Sequence, residues 1–189
     1  MQKYQILSKS HVCPWWLAYT FDNPIRRFFR KPDQMLAKFV KEGMTVVDIG
    51  CGMGYFSIGL AKILKGNGKI IAVDIQKEML EVLEKRARSA GVFDMIQPRL
   101  SKEDDIGFTE PIDFALTFWM VHEIPEKTRF LQQIHAVLKD SGFLLIAEPK
   151  FHVSESQFEE EKDIARKVGF GIKEEPKITF SHSVLYEKA

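Results

Sequence analysis

Val46-Val47-Asp48-Ile49-Gly50-Cys51-Gly52-Met53-Gly54 is followed at short distance by Lys69-Ile70-Ile71-Ala72-Val73-Asp74. The first run reads as a buried strand entering a glycine-rich turn. The second reads as another buried strand that ends on a carboxylate. Glycines let a backbone turn tightly and lie against a ligand. The helix that starts after such a turn offers unpaired amides at its N-terminus. An acid about 20 residues further on is where a ribose is held in nucleotide-binding sheets. The two runs together therefore point to a nucleoside-bearing ligand. Taken apart, they reduce to a strand-to-helix turn and a helix N-cap.

Working outward, residues 44–149 alternate strand-like and helix-like segments. Strands are expected at Thr45–Ile49, Lys69–Asp74, Met95–Leu100, Asp113–Phe118 and Phe143–Glu148. Helices are expected near 54–65, 76–90 and 126–139. The second carries Met79, Leu80, Leu83 and Ala87 on one face, with Gly91 beyond its last turn. The third carries Phe130, Leu131, Ile134 and Leu138, and Ser141-Gly142 turns the chain into the next strand. Such alternation implies a mostly parallel sheet with helices on both faces. The tail adds a helix at about 154–168, ending near Gly169, then strands at Ile172–Phe180 and Ser183–Glu187. The short link Phe180-Ser181-His182 makes that pair antiparallel. The fold expected is an α/β three-layer sandwich on a seven-stranded sheet with an antiparallel last strand.

At 189 residues, 45% of them hydrophobic, the chain is expected to form one domain with a substantial core. A formal net charge of +1 gives no strong field toward nucleic acid or an anionic membrane. Cys13 and Cys51 are too few for a disulfide framework and suit a reducing compartment. The first ten residues lack the apolar core of a signal peptide, and no apolar run is long enough to span a bilayer. These features make the cytoplasm the expected location, with no membrane span and no nucleic-acid partner. Residues 1–43 form a separate helical layer in this reading, and Asn23-Pro24 and Lys31-Pro32 read as helix starts. That layer either packs its aromatics on the sheet's helices or serves as a lid over the ligand site.

The turn spacing is G-x-G-x-G. A dinucleotide fingerprint needs a glycine one place later, where Tyr55 stands. Asp48 would repel a pyrophosphate but suits a ligand carrying an ammonium group. At this point the chain resembles the catalytic core of class I S-adenosylmethionine (SAM)-dependent methyltransferases. Val47–Gly54 and Val73-Asp74 carry the resemblance. Phe118-Trp119-Met120-Val121-His122-Glu123-Ile124-Pro125 and Val137–Ile146 are similar to segments of the quinone-biosynthesis type of small-molecule methyltransferase. The resemblance implies the strand order 3-2-1-4-5-7-6 and SAM as cofactor. It implies that Asp48 holds the methionine amino group directly or through water. Gly50, Cys51, Gly52 and Gly54 would lie along the cofactor, Asp74 would bind its ribose and Ile75 would pack on its adenine. Phe118 belongs to the same site. The family's acid after the third strand aligns strictly with Lys102; with a small slip, Glu103 or Asp104 takes that role. Otherwise the run is a solvated charge cluster on a short helix.

Ligands of open parallel sheets bind at the carboxyl ends of the strands. This gathers the glycine turn, the run after the fourth strand and Glu148–His152 after the fifth. Methyl transfer needs in-line alignment in a dry site, and a hydroxyl or thiol acceptor must also lose a proton. His122 is the candidate base; the alternative is that it caps the helix after Pro125. Trp15, Trp16, Tyr19, Trp119, Glu148 and His152 are candidate substrate contacts. The first three, with Phe21, enclose a cation or apolar substrate or else pack in the core. His122, Glu148 and His152 lack a metal-ligand spacing, so no metal is expected. Arg26, Arg27, Arg30 and Lys31 read as an acid-binding run or a solvated helix face. Cys13 beside His11 reads as a reactive thiol or an inert buried one. The expectation is a methyltransferase acting on a small molecule. Competing readings are a protein methyltransferase, a SAM-binding regulatory module without turnover, and a dehydrogenase.

Overall fold

The computed structural model describes residues 32–189. Its elements are α1 (Pro32–Leu36), β1 (Thr45–Ile49), α2 (Tyr55–Leu64), β2 (Lys69–Asp74), α3 (Lys77–Ser89), β3 (Ile96–Leu100), β4 (Ile112–Phe118), α4 (Lys127–Val137), β5 (Leu138–Pro149), α5 (Glu155–Val168), β6 (Phe170–Glu174) and β7 (Ser181–Lys188). Among the described residues they form one seven-stranded sheet in the order β3-β2-β1-β4-β5-β7-β6. β1 runs parallel to β2 and β4. β7 runs antiparallel to both β5 and β6. The order and the antiparallel strand are those the sequence led us to expect.

The central strands are near-continuous apolar runs because both faces of the sheet are covered. Successive side chains alternate between two cores. Val46, Ile70, Phe114 and Leu145 pack with Leu36, Leu60 and Leu83 of α1, α2 and α3. Val47, Ile71, Ala115 and Leu144 pack with Leu131, Ile134 and Phe158 of α4 and α5. Residues 36–40, assigned from sequence to a cap, join the first of these cores through Leu36, Phe39 and Val40. Trp15, Trp16, Tyr19, Phe21, the basic run Arg26, Arg27, Arg30 and Lys31, and the His11–Cys13 pair lie outside the described residues. α3 buries Met79, Leu80, Leu83 and Ala87 as its periodicity requires. α5 starts at a capping box formed by Ser154 and Gln157 and stops at Gly169, whose φ is 111°.

Several local features differ from the expectations. β6 ends at Glu174, not Phe180, and residues 175–180 form a longer loop to β7. Pro176 cannot donate to a sheet ladder, and buried Ile178 draws the loop onto the first core. α4 stops at Val137, and Leu138 already pairs with Ile112. The register then shifts before Phe143 meets Phe114, so residues 139–142, including Ser141-Gly142, form an irregularity in β5. Residues 101–108 are not a short helix: Lys102 and Asp105 bridge across a turn.

Candidate active site

The glycine turn lies at the carboxyl end of β1. Gly50, Gly52 and Gly54 have φ of 71°, 52° and 81°, all in the left-handed region. The amides of Gly50 and Cys51 donate to the Val73 carbonyl at 2.8 and 3.0 Å, tying the turn to the end of β2. Two of the glycines serve different ends. A Cβ on Gly54 would fall 2.7 Å from Leu83 Cγ, whereas one on Gly52 would meet no atom within 4 Å. Gly54 thus lets α2 and α3 pack closely, while Gly52 faces open space. Gly54→Ala is expected to lower stability by about 2–3 kcal/mol through backbone strain and overpacking. Gly52→Ala should cost only about 1 kcal/mol in stability from its backbone, yet weaken S-adenosylhomocysteine binding about tenfold or more. Urea denaturation and calorimetry on both variants check this; unchanged affinity in Gly52→Ala would remove the ligand from that space.

Asp74 ends β2 and is 9% exposed. Its Oδ2 accepts the Gly52 amide and its Oδ1 the Gln76 amide, each at 2.9 Å. Gln76, rather than Asp74, is the N-cap residue of α3. Burial raises the Asp74 pKa above its ordinary 3.8, against the backbone hydrogen bonds that lower it. Ile75, next in sequence, is 37% exposed, an unusual place for a large aliphatic side chain. Asp48 differs from its neighbours. It is 1% exposed, accepts Ser57 Oγ at 2.6 Å and does not line the cavity. Cys51 is buried, and desolvation followed by the nearby Asp48 and Asp74 charges pushes its thiol well above 9.0. A neutral, unreactive thiol results.

The cavity has a volume of about 490 Å³ and spans the ends of β1, β2, β4 and β5. Gly50, Gly52, Asp74 and Ile75 line one part of it. Glu103 and Asp104 line it as well. Asp104 pairs with Arg129 at 3.5 Å. Gln133 of α4 anchors this turn: its Nε2 donates to the Asp104 carbonyl and its Oε1 accepts the Ile106 amide, both at 3.1 Å. Gln133 and Arg129 line the cavity too, and the sequence reading missed both. The signal available was weak, two polar residues on the open side of an amphipathic helix.

At the end of β4, Phe118 is buried and packs at a tilt against Phe56, ring centres 4.3 Å apart. Trp119 has φ of 60°, a strained conformation for a bulky residue. Its amide donates to the Ala147 carbonyl at 2.7 Å and its indole Nε1 to Ser181 Oγ at 3.0 Å. Those bonds hold the indole on the cavity wall, with Phe151 edge-on at 5.0 Å.

His122 and Glu148 form a couple. Glu148 is fully buried and does not line the cavity, so it is no direct substrate contact. Its Oε1 accepts the amides of Met120 and Val121 at 3.3 and 3.0 Å. Its Oε2 takes the His122 amide at 3.2 Å and His122 Nδ1 at 2.5 Å. The imidazole lines the cavity, its side chain 24% exposed, and stacks on His152 at 5.8 Å. Nδ1 is committed to Glu148, which leaves Nε2 to accept a proton. Burial disfavours the charged ring, but the Glu148 bond and the charges of Glu148, Glu123 and Glu161 outweigh it, and the pKa rises above 6.5. Among the described residues no three His, Cys, Asp or Glu side chains converge as metal ligands.

Comparisons with known proteins agree with this geometry. A family profile described as a methyltransferase domain matches residues 40–179. A demethylmenaquinone methyltransferase of Lactobacillus johnsonii is 27% identical over 124 residues, 65% of this chain and 48% of that protein. A ribosomal protein L11 methyltransferase of Dictyoglomus thermophilum is 34% identical over 110 residues, 58% of this chain and 34% of that protein. The chain thus spans about half or less of the length of these curated relatives. In fold it is similar to a SAM-dependent methyltransferase structure from Aquifex aeolicus, with a TM-score of 0.83 at 24% identity, covering 94% of this chain and 100% of that one. With a methyltransferase profile over most of its length and the matching sheet order, the chain belongs to the class I SAM-dependent methyltransferase family.

Proposed function

We propose that the protein binds SAM at the ends of β1 and β2 and transfers its methyl group to a small molecule held beside His122. The observation that carries this reading is one cavity lined both by Gly52 and Asp74 and by a histidine whose Nδ1 is bound to a buried glutamate. The residues present suit the cofactor. Gly52 leaves room for a close approach, and Asp74 keeps acceptor capacity beyond its two amide bonds, since a carboxylate takes about four. The apolar Ile75 suits a purine face. Cys51 and Gly54 contribute through the backbone shape of the turn, and Phe118 through the cavity wall. Asp48 acts on the ammonium end through water or the turn's backbone. Glu103 is the acid we assign to the adenine edge, because Asp104 already pairs with Arg129.

When bound, SAM supplies an electrophilic methyl group on a sulfonium that leaves as a neutral thioether. The chain supplies the rest. Trp119 and Phe151 wall the acceptor side, and apolar walls exclude water. His122 Nε2 takes the proton from the acceptor's hydroxyl, thiol or amine, while Glu148 fixes the ring and stabilises the imidazolium. His152, stacked on His122, limits how that ring turns. A small, nearly neutral chain with no long apolar helix among its described residues suits the cytoplasm.

His122→Gln is expected to lower turnover about a hundredfold while leaving S-adenosylhomocysteine binding unchanged. A neutral base works above its pKa. Wild-type activity should therefore fall as pH drops through a midpoint above 6.5, and that limb should vanish in the variant. Product release measured against pH, with calorimetry alongside, checks both. Binding without turnover in wild type would favour a regulatory module. The L11 methyltransferase relatives support a second reading, a protein acceptor whose amine enters the same cavity. Methylation of a protein fraction, with none of a small-molecule extract, would select it.

A further inference from the structure

Among the described residues, three that are not glycine have positive φ: Lys65, Trp119 and Phe180. Lys65 is the C-cap of α2, an ordinary place for that conformation. The other two are aromatic, and backbone strain of this kind collects at functional sites. They meet at one hydrogen bond. The Trp119 indole Nε1 donates to Ser181 Oγ at 3.0 Å, and Phe180 precedes that serine in the chain. The Ser181 amide closes a four-residue turn on the Ile178 carbonyl at 3.0 Å. Phe180 stands third in this turn with φ of 60°, where glycine is the usual residue. It is 62% exposed, so burial does not offset its conformation. The turn is fixed at two further points: Ile178 is buried in the first core, and the Lys150 amide donates to the Phe180 carbonyl at 3.0 Å. What the strain secures is the place of the buried Ser181 against the indole.

On the cavity side the indole begins a row of rings. Trp119 and Phe151 stand 5.0 Å apart at 88°, Phe151 and His152 4.9 Å apart at 58°, and His152 and His122 5.8 Å apart at 9°. All four line the cavity, and the row ends on the imidazole beside which the acceptor is placed. The indole N–H, the one hydrogen-bonding group of that side chain, is taken by Ser181, so the ring offers the cavity carbon only. A fixed flat wall is touched by a flat ring over a whole face and by a puckered ring at a few atoms. We propose that Ser181 is a positioning residue for Trp119, and that the indole so held is the specificity determinant of the acceptor side, favouring a flat conjugated ring over a puckered one. The proposal rests on the reading of the cavity beside His122 as the acceptor's place. Phenylmethanethiol and cyclohexylmethanethiol are suitable probes, since each carries its sulfhydryl on a methylene and they differ in the ring. Where either is turned over, its sulfur takes the methyl group as the carbon–sulfonium bond of SAM breaks. Its proton passes to His122 Nε2, and S-adenosylhomocysteine leaves.

The test is indole N–H NMR of the full-length protein, with isotope-labelled tryptophan and saturating S-adenosylhomocysteine. Of the three indole signals, that of Trp119 is the one lost in Trp119→Phe. Ser181→Ala should move that signal and quicken its exchange with water about fivefold or more, with S-adenosylhomocysteine affinity unchanged. Ser181→Thr keeps the hydroxyl and should restore both. Ser183→Ala, two residues along the same strand, should leave both in place. Titrated against the same signal, wild type should bind phenylmethanethiol about fivefold or more tightly than cyclohexylmethanethiol, and Ser181→Ala should bring the two toward parity. Should the alanine variant fold poorly, Ser181→Cys is measured instead, with the same expectation. An unmoved signal in a folded Ser181→Ala or Ser181→Cys protein overturns the proposal. So do an equal displacement from Ser183→Ala, equal affinities of wild type for the two thiols, and binding of neither. Selective thiol binding with no methyl transfer to a small-molecule extract or a protein fraction would instead overturn the proposed function and leave the Ser181–Trp119 assignment standing.

Discussion

Asp74→Ala should weaken the binding of SAM and S-adenosylhomocysteine by about two orders of magnitude, the largest affinity loss expected from one side chain here. A hydrogen bond to a charged group contributes about 1.5–3 kcal/mol, and two ribose hydroxyls would each lose one. Since 1.4 kcal/mol is a tenfold change, about 3 kcal/mol accounts for the loss. The carboxylate has a second task, because Gly52 and Gln76 donate to it. Stability should therefore fall by about 1–2 kcal/mol as those amides turn to water. Asp74→Asn keeps one carbonyl oxygen for an amide but loses the charge, so it should bind weakly with a smaller stability loss. The carboxylate is the binding form, and its pKa is raised by burial. Affinity should accordingly decline on acidification at a pH above the ordinary aspartate range. Calorimetry across pH and thermal melts of both variants measure these effects. Wild-type affinity in a folded Asp74→Ala would remove the carboxylate from the site.

The turn and the strand end to which we assign the cofactor were legible in the sequence because their parts are local. Asp48 to Gly54 is one strand and its turn, and Val73-Asp74 ends the neighbouring strand. The alternation of buried parallel strands with amphipathic helices fixes where those ends meet. What sequence could not supply is partnership across distance. Glu148 reads as a carboxylate at a strand end and so as a substrate contact. Its role as acceptor for residues 120–122 depends on β4 and β5 lying side by side in a particular register. Gln133 and Arg129 reach the cavity only because α4 packs beside the turn after β3. Asp48 is withdrawn for the same kind of reason: Ser57 meets it from the first full turn of α2. The length of the β6–β7 loop was misread because Ile178 looks like a strand residue. It is buried as a loop residue instead, beyond a proline that ends the ladder. Local pattern identified the elements, and tertiary contact decided the duties of individual polar groups.

Removing Glu148 should damage stability and turnover together. The side chain is 0% exposed, and three amides and an imidazole nitrogen donate to its two oxygens. That uses the whole acceptor capacity of a carboxylate. Glu148→Ala strips all four donors of their partner in a buried position and opens a small void. Each stranded donor would cost about 1–3 kcal/mol, but the turn at 120–122 can relax toward water, so a total near 3–5 kcal/mol is expected. Glu148→Gln preserves volume, yet its amide group faces donors with a donor. It should therefore recover little of the stability, unlike an ordinary isosteric exchange. Turnover should fall below that of His122→Gln, because the ring, its tautomer and the wall residue Met120 all lose their anchor. The double variant should be hardly worse than Glu148→Ala alone, since groups that act as a unit do not add. Urea denaturation and single-turnover rates on Glu148→Ala, Glu148→Gln, His122→Gln and the Glu148→Ala/His122→Gln double variant decide the matter. A Glu148→Gln protein as stable as wild type and still active would mean that the imidazole orients without this carboxylate, and the base assignment would then lose its structural support.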